Sequence, residues 1–206
     1  MKAVDLYAIR LDIGSMLHLG MCDGERTDEA PRWFVQIMLE DGDEPDAEPI
    51  QIGHMQFLMV DEAMVGRVFD SLDALDGHAS RHAEVILALA DDAEAPVEMP
   101  FGPYLIVESV QLDEPYRGRG LGTYLTGMAI KMIGPGCDIV TVYPFPLDTQ
   151  RDEDGVAVEP ATSEAMAAIG RSWERLGFRP YRLGVYVLDR RYATFEKSLS
   201  ELPKRL

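Results

Sequence analysis

Residues Glu114 to Leu125 read EPYRGRGLGTYL. Glycines stand at 118, 120 and 122, a proline precedes them, and an apolar, methionine-rich segment follows. Upstream, YLIVESVQL (Tyr104 to Leu112) is rich in β-branched residues and reads as a strand. Downstream, Leu121, Leu125, Met128, Ala129 and Met132 recur at helical spacing and give one apolar face to about Ile133. A glycine-rich turn from a strand into a helix brings several backbone N–H groups and the positive end of the helix dipole to one point. That point suits an anion such as a pyrophosphate.

Three phosphate-binding patterns compete for these glycines. A P-loop requires GxxxxGK[ST], and no Lys-Ser or Lys-Thr follows here. A dinucleotide fingerprint requires GxGxxG, but Thr123 stands where the third glycine belongs, and no acid about 20 residues on ends a strand. The third pattern fits. Arg117-Gly118-Arg119-Gly120-Leu121-Gly122 matches R-x-x-G-x-G and closely resembles the pyrophosphate loop of the GNAT N-acetyltransferase superfamily. Its flanks are similar too: Val110-Gln111-Leu112 ends the preceding strand, and Asp113-Glu114-Pro115 makes an acidic turn. A second stretch, RSWERLGFRP (Arg171 to Pro180), resembles the family's late helix and turn, FYEKLGFRP. Together the two cover residues 104–188.

The resemblance implies a single domain over 1–206 of α/β (α+β type) class. Its core would be a GNAT-like mixed, mostly antiparallel sheet flanked by helices, with a helical insertion before the fourth strand. Residues 104–188 would be the coenzyme A-binding core, and residues 1–100, atypical for the family, the acceptor side. It implies acetyl-CoA as cosubstrate and transfer of an acyl group to a primary amine carried by a small molecule or a protein. Coenzyme contacts would come from Val110, Gln111, Leu112, Arg117, Gly118, Arg119, Gly120, Leu121, Gly122 and Thr123, with Trp173 packed in the core or against the pantetheine. Glu108, two residues before Val110, is the candidate base. The family's tyrosine acid aligns with Trp173, whose indole cannot serve as that acid, so Tyr143, Ser172, Tyr181 or solvent remain as proton donors. The alternative reading is a coenzyme A-binding sensor or interaction module without catalysis.

Charge narrows the partners. The 206 residues carry a formal net charge of −17, and the imbalance lies in one half. Residues 1–100 hold 22 acids and 6 bases, whereas residues 101–206 hold 14 and 13. Such a surface repels nucleic acid and anionic lipid and favours a cationic acceptor. No stretch approaches the ~20 apolar residues of a membrane span, and MKAVDLYAIRLDIGSML interrupts its apolar run with charges, unlike a signal peptide. A cytoplasmic protein is expected. Cys22 and Cys137, the only cysteines, supply neither a disulfide framework nor metal-ligand spacing. No metal site is expected, and strand exchange would allow a homodimer.

The remaining elements follow from periodicity. AVDLYAIRLDI reads as a strand, Asp23 to Pro31 as a loop, and residues 32–60 as an antiparallel hairpin with an acidic tip. Val65, Val68, Phe69, Leu72 and Leu75 predict a helix ended by Gly77, and a second helix spans about Ser80 to Leu89. Gly77 and Ser80 suggest a helix break at His78 and His82, which are expected to be ordinary surface or cap histidines. CDIVTVYPFPL is a strand ended by Pro144 and Pro146. Thr162 or Ser163 caps a helix closed by Gly177, YRLGVYVLD is the last strand, and residues 192–202 form an amphipathic tail helix.

Overall fold

The computed structural model describes residues 5–16, 19–22, 25–28, 30–40, 47–60, 77–92, 95–97, 102–146 and 162–202. Seven strands make the main sheet: β1 (Ile9–Met16), β4 (Arg32–Leu39), β5 (Ile50–Val60), β6 (Tyr104–Leu112), β7 (Ile139–Val142), β8 (Arg179–Pro180) and β9 (Tyr186–Asp189). Their spatial order is β1-β4-β5-β6-β7-β9-β8, and a separate ribbon pairs β2 (Leu19–Cys22) with β3 (Glu25–Asp28). Among the described residues β6 and β7 form the one parallel pair of the main sheet; its other neighbours are antiparallel. This is the mixed, mostly antiparallel sheet expected from the sequence.

Alternation along β4 and β5 sorts the sheet into two faces. On one lie Val35, Ile37, Met55, Phe57, Leu105, Val107 and Val142, under α2 (Leu121–Ile133), α3 (Ser163–Glu174) and α4 (Ala193–Glu201). On the other lie Leu58, Val60, Tyr104, Ile106, Ile139 and Val187, covered by Val85, Ile86 and Leu89 of α1 (Gly77–Asp91). The described helix of the expected insertion before the fourth strand of the main sheet, β6, thus closes one face of the core. The inner face of α3 is capped at Thr162, whose hydroxyl accepts from Ala165 N at 3.1 Å.

Several local expectations are corrected. The first strand begins at Ile9, after a 3-10 turn over Leu6–Ala8 whose Asp5 carboxylate accepts from Tyr7 N. The polar stretch Asp23 to Pro31 contains β3, because a two-stranded ribbon is held by backbone pairing and needs no apolar alternation. α1 runs from Gly77; the helix expected over 62–75 with its end at Gly77 lies outside the described residues, as do most of the acidic hairpin tip and the 148–160 loop. Residues 78–82 run unbroken within α1. The last strand is interrupted by a 3-10 turn at Arg182–Gly184, with Leu183 left-handed at φ 55°. No described helix is long and apolar enough to cross a membrane.

One close approach fixes the centre of the sheet. A Cβ at Gly53 of β5 would collide with the Gln111 carbonyl oxygen and come within 2.9 Å of Leu112 Cδ2. Gly14 of β1, by contrast, faces open space. Gly53→Ala should therefore cost about 2 kcal/mol, in the range of overpacked cores, and Gly14→Ala should leave the melting temperature nearly unchanged. Equal melting curves for the two variants would contradict the close packing of β5 on β6.

Candidate functional site

The site begins where two neighbouring strands stop being neighbours. β6 and β7 pair from Tyr104 opposite Ile139 to Val107 opposite Val142. Pro144 and Pro146 then remove backbone donors from the β7 side, so the strand cannot continue. β6 continues for five residues, Glu108 to Leu112, and its partner there is β5. The two parallel strands form a fork whose mouth lies at Val107 and Val142.

A bulge marks the same point. Gln56 of β5 faces Ser109 and Phe57 faces Val107, so Glu108 is the extra residue on β6. A bulge places its two residues on one side of the sheet. Ser109 shares the side of Gln56, which is the α1 face, and Glu108 goes with it. Its carboxylate lies 3.8 Å from Arg32 Nε, on the face of Leu58. The side chain is about a quarter exposed, a carboxylate within reach of both solvent and fork.

At the far end of the free arm of β6 stands the glycine turn. Gly118 and Gly120 take left-handed conformations, φ 78° and 84°, which glycine adopts without strain. Gly120 is the N-cap of α2 and has no side chain to offer the first turn, whereas α3 is capped by Thr162. Tyr124 N bonds Gly120 O at 3.0 Å. The N–H groups of Leu121, Gly122 and Thr123 precede that bond and have no intrahelical acceptor.

Arginines surround this end. Arg117 Nε donates to Leu112 O at 2.5 Å, folding its side chain back over the turn. Arg119 lies in the turn and is partly buried. A third comes from the end of α3: the Arg175 Nη atoms stand 3.3 and 3.4 Å from where a Cβ on Gly120 would be. Arg175 was missed in the sequence, although it stands inside WERLGF. Leu121 and Thr123 turn their side chains into the core, and Gly122 packs near Val110 and Leu112, so their backbone alone faces the turn.

The other candidates are dispersed. Tyr143, one residue past β7, lies on the α1 face with the Arg81 guanidinium 4.9 Å above its ring and Phe145 stacked alongside at 6.2 Å. Ser172 bonds back to Ala168 O at 3.4 Å within its own helix. Trp173 is 6% exposed in the core, edge-on to Phe178, and its indole N–H is buried without a partner among the described residues. His82 is buried, not on the surface: its Nδ1 lies 2.8 Å from Thr141 Oγ1 of β7, which fixes α1 to the sheet. No group of His, Cys, Asp and Glu able to hold a metal occurs among the described residues.

Tyr181 is already committed. Its hydroxyl donates to Asp92 Oδ2 at 2.5 Å, and the same carboxylate lies 3.0 Å from Arg182 Nη2. Burial, with the Asp92 hydrogen bond second, pushes the phenol up to about 12, against the pull of Arg182. The protonated phenol therefore supports the fold fully below the ordinary tyrosine range, and that support is lost as pH rises toward about 12. Tyr181→Phe should remove the latest phenol from the ultraviolet tyrosinate titration and flatten the alkaline loss of stability. A titration curve unchanged by the substitution would contradict the Asp92 contact.

Fold and site together define an α+β protein with a forked sheet opening beside an uncapped, arginine-rimmed helix start. Among solved structures, Arabidopsis thaliana NAA60 in complex with acetyl-CoA is similar at 18% identity and a TM-score of 0.41, over 78% of this chain and 77% of its own. The same protein in complex with a bisubstrate analogue is similar at 16% identity and a TM-score of 0.41, over 79% of this chain and 76% of its own. No family model matches the chain, and no curated protein matches it.

Proposed function

We propose that the chain is an acyl-CoA-dependent N-acyltransferase of GNAT type that transfers acetyl from acetyl-CoA to a primary amine. The observation that carries the reading is one juxtaposition. The uncapped N-terminus of α2, ringed by Arg117, Arg119 and Arg175, stands at the end of the arm of β6 that β7 leaves. The N–H groups of Leu121, Gly122 and Thr123 would hold a pyrophosphate there. Gly118 and Gly120 let the backbone come close. Val110, Gln111 and Leu112 line the route from that turn toward the fork, with Trp173 packed beneath the same face of the sheet.

Acetyl-CoA, when bound, supplies the acetyl thioester. Glu108, on the bulge at the mouth of the fork, takes the proton from the incoming amine, directly or through water. The Arg32 Nε atom stands 3.8 Å from that carboxylate and helps to hold it at the fork. The acceptor is an amine of a small molecule or a protein, and the acidic first hundred residues favour a cationic one. Trp173 in place of a tyrosine favours the alternative, a coenzyme A-binding module without turnover; turnover separates the two.

Thermal melting with acetyl-CoA, ATP and NAD tests the ligand. Acetyl-CoA at a hundredfold its dissociation constant should add about 2.7 kcal/mol of stability, and the controls should add little. A chain that no acetyl-CoA concentration stabilises is not an acetyl-CoA enzyme. Glu108→Gln should bind the coenzyme normally and lower kcat by roughly a hundredfold, the scale of a lost general base; full activity in that variant would remove Glu108 from the mechanism.

A further inference from the structure

β9 carries a phenol at the fork for which the reading above has no use. Tyr186 pairs with Val142 of β7, and Val142 pairs with Val107, where the two parallel strands part. All three residues belong to the face covered by α3. There the Tyr186 ring lies against Gly170: a Cβ on that residue would collide with the phenol oxygen and stand 2.7 Å from Cζ. Gly170 precedes Trp173 by three residues, so the two share a face of α3. The phenol oxygen thus sits on the inner face of the late helix, one turn from the indole that aligns with the expected acid.

The hydroxyl is available. Tyr186 is half-buried and donates no hydrogen bond to another described residue. The charges that face it are Glu174 and Arg171, both on α3; its strand neighbours, Val142 and Pro180, carry none. Burial and then Glu174 raise its pKa above the ordinary tyrosine range, and Arg171 opposes them. The proton therefore stays on the phenol at neutral pH. Glu108 lies on the α1 face, so carboxylate and phenol approach the fork from opposite sides of the sheet.

We infer that Tyr186 is the proton donor to the leaving thiolate, a catalytic residue placed on β9 and accommodated by Gly170 in α3. The inference rests on the acyl transfer proposed above. As the amine nitrogen bonds to the acetyl carbon, the carbon–sulfur bond breaks and sulfur leaves with its electron pair. Sulfur takes the Oη proton of Tyr186. The surplus proton of the amine passes to Glu108, and solvent restores both groups. Charge and atoms balance with no further reactant.

The test compares wild type, Tyr186→Phe, Gly170→Ala and Tyr7→Phe, the last a control at an exposed tyrosine. Tyr186→Phe should lower kcat by roughly a hundredfold and leave KM for acetyl-CoA within about twofold, a factor worth only ~0.4 kcal/mol of binding. The alkaline limb of its kcat–pH profile should disappear. Gly170→Ala, which pushes the phenol away, should fall in the same direction, and Tyr7→Phe should match wild type. A second readout needs no turnover: in the binary complex with coenzyme A, the ultraviolet thiolate band should titrate at lower pH in wild type than in Tyr186→Phe. Wild-type turnover with an unimpaired Tyr186→Phe, or a thiolate band that titrates alike in both, overturns the assignment and leaves the acyltransferase reading intact. A wild type that neither binds coenzyme A nor turns over overturns both.

Discussion

The site depends on the parting of β6 and β7. Parallel pairing stops at Val107 and Val142 because two prolines follow on one strand, while the other stays paired to β5 through Leu112. A strand edge inside a sheet is costly when its polar groups face no partner. It is stable where solvent, a side chain or a ligand supplies that partner. Here one carbonyl of the free arm, Leu112 O, is met by Arg117 from the turn beyond. The bulge at Glu108 sits at the fork for a related reason: an extra residue re-aims β6 while its register with β5 resumes at Ser109.

Charge is arranged around this geometry. The chain is strongly acidic, with the excess in the first hundred residues. Yet the start of α2 gathers Arg117 and Arg119 from the turn and Arg175 from the end of α3. Three cations beside uncapped helical N–H groups oppose the net charge of the molecule over a short range. Screening makes that local field decisive for a bound anion, since charges beyond about 10 Å contribute little at moderate salt. An acidic protein can therefore keep a locally cationic spot at one end of the fork.

Much of this was legible in the sequence, for physical reasons. Tyr104 to Leu112 and the hairpin over 32–60 alternate or run apolar because the sheet is covered on both faces, and the glycine turn announces itself by the backbone it permits. The polar ribbon β2–β3 was not legible, since pairing without burial leaves no hydrophobic period. Nor was the burial of His82, whose ring is bonded to Thr141, 59 positions away in the chain. The bulge at Glu108, the reach of Arg175 to Gly120 and the contact of Tyr186 with Gly170 are products of register and packing. Periodicity within one segment carries none of them.

The two faces of the sheet divide the work. One face carries the larger apolar cluster under α2, α3 and α4, together with the turn, Trp173 and Tyr186. The other is closed by α1, which is fixed to β7 through His82 and Thr141 and to the β8–β9 turn through Asp92, Tyr181 and Arg182. Arg81 of α1 extends the same attachment to Leu183 O and the Tyr143 ring. These contacts bring the insertion to the mouth of the fork, on the side of Glu108. The first turn of α2 packs toward one face of the sheet, and the other face is closed by α1. The insertion therefore serves two ends at once, closing the second apolar cluster and shaping the surroundings of the fork.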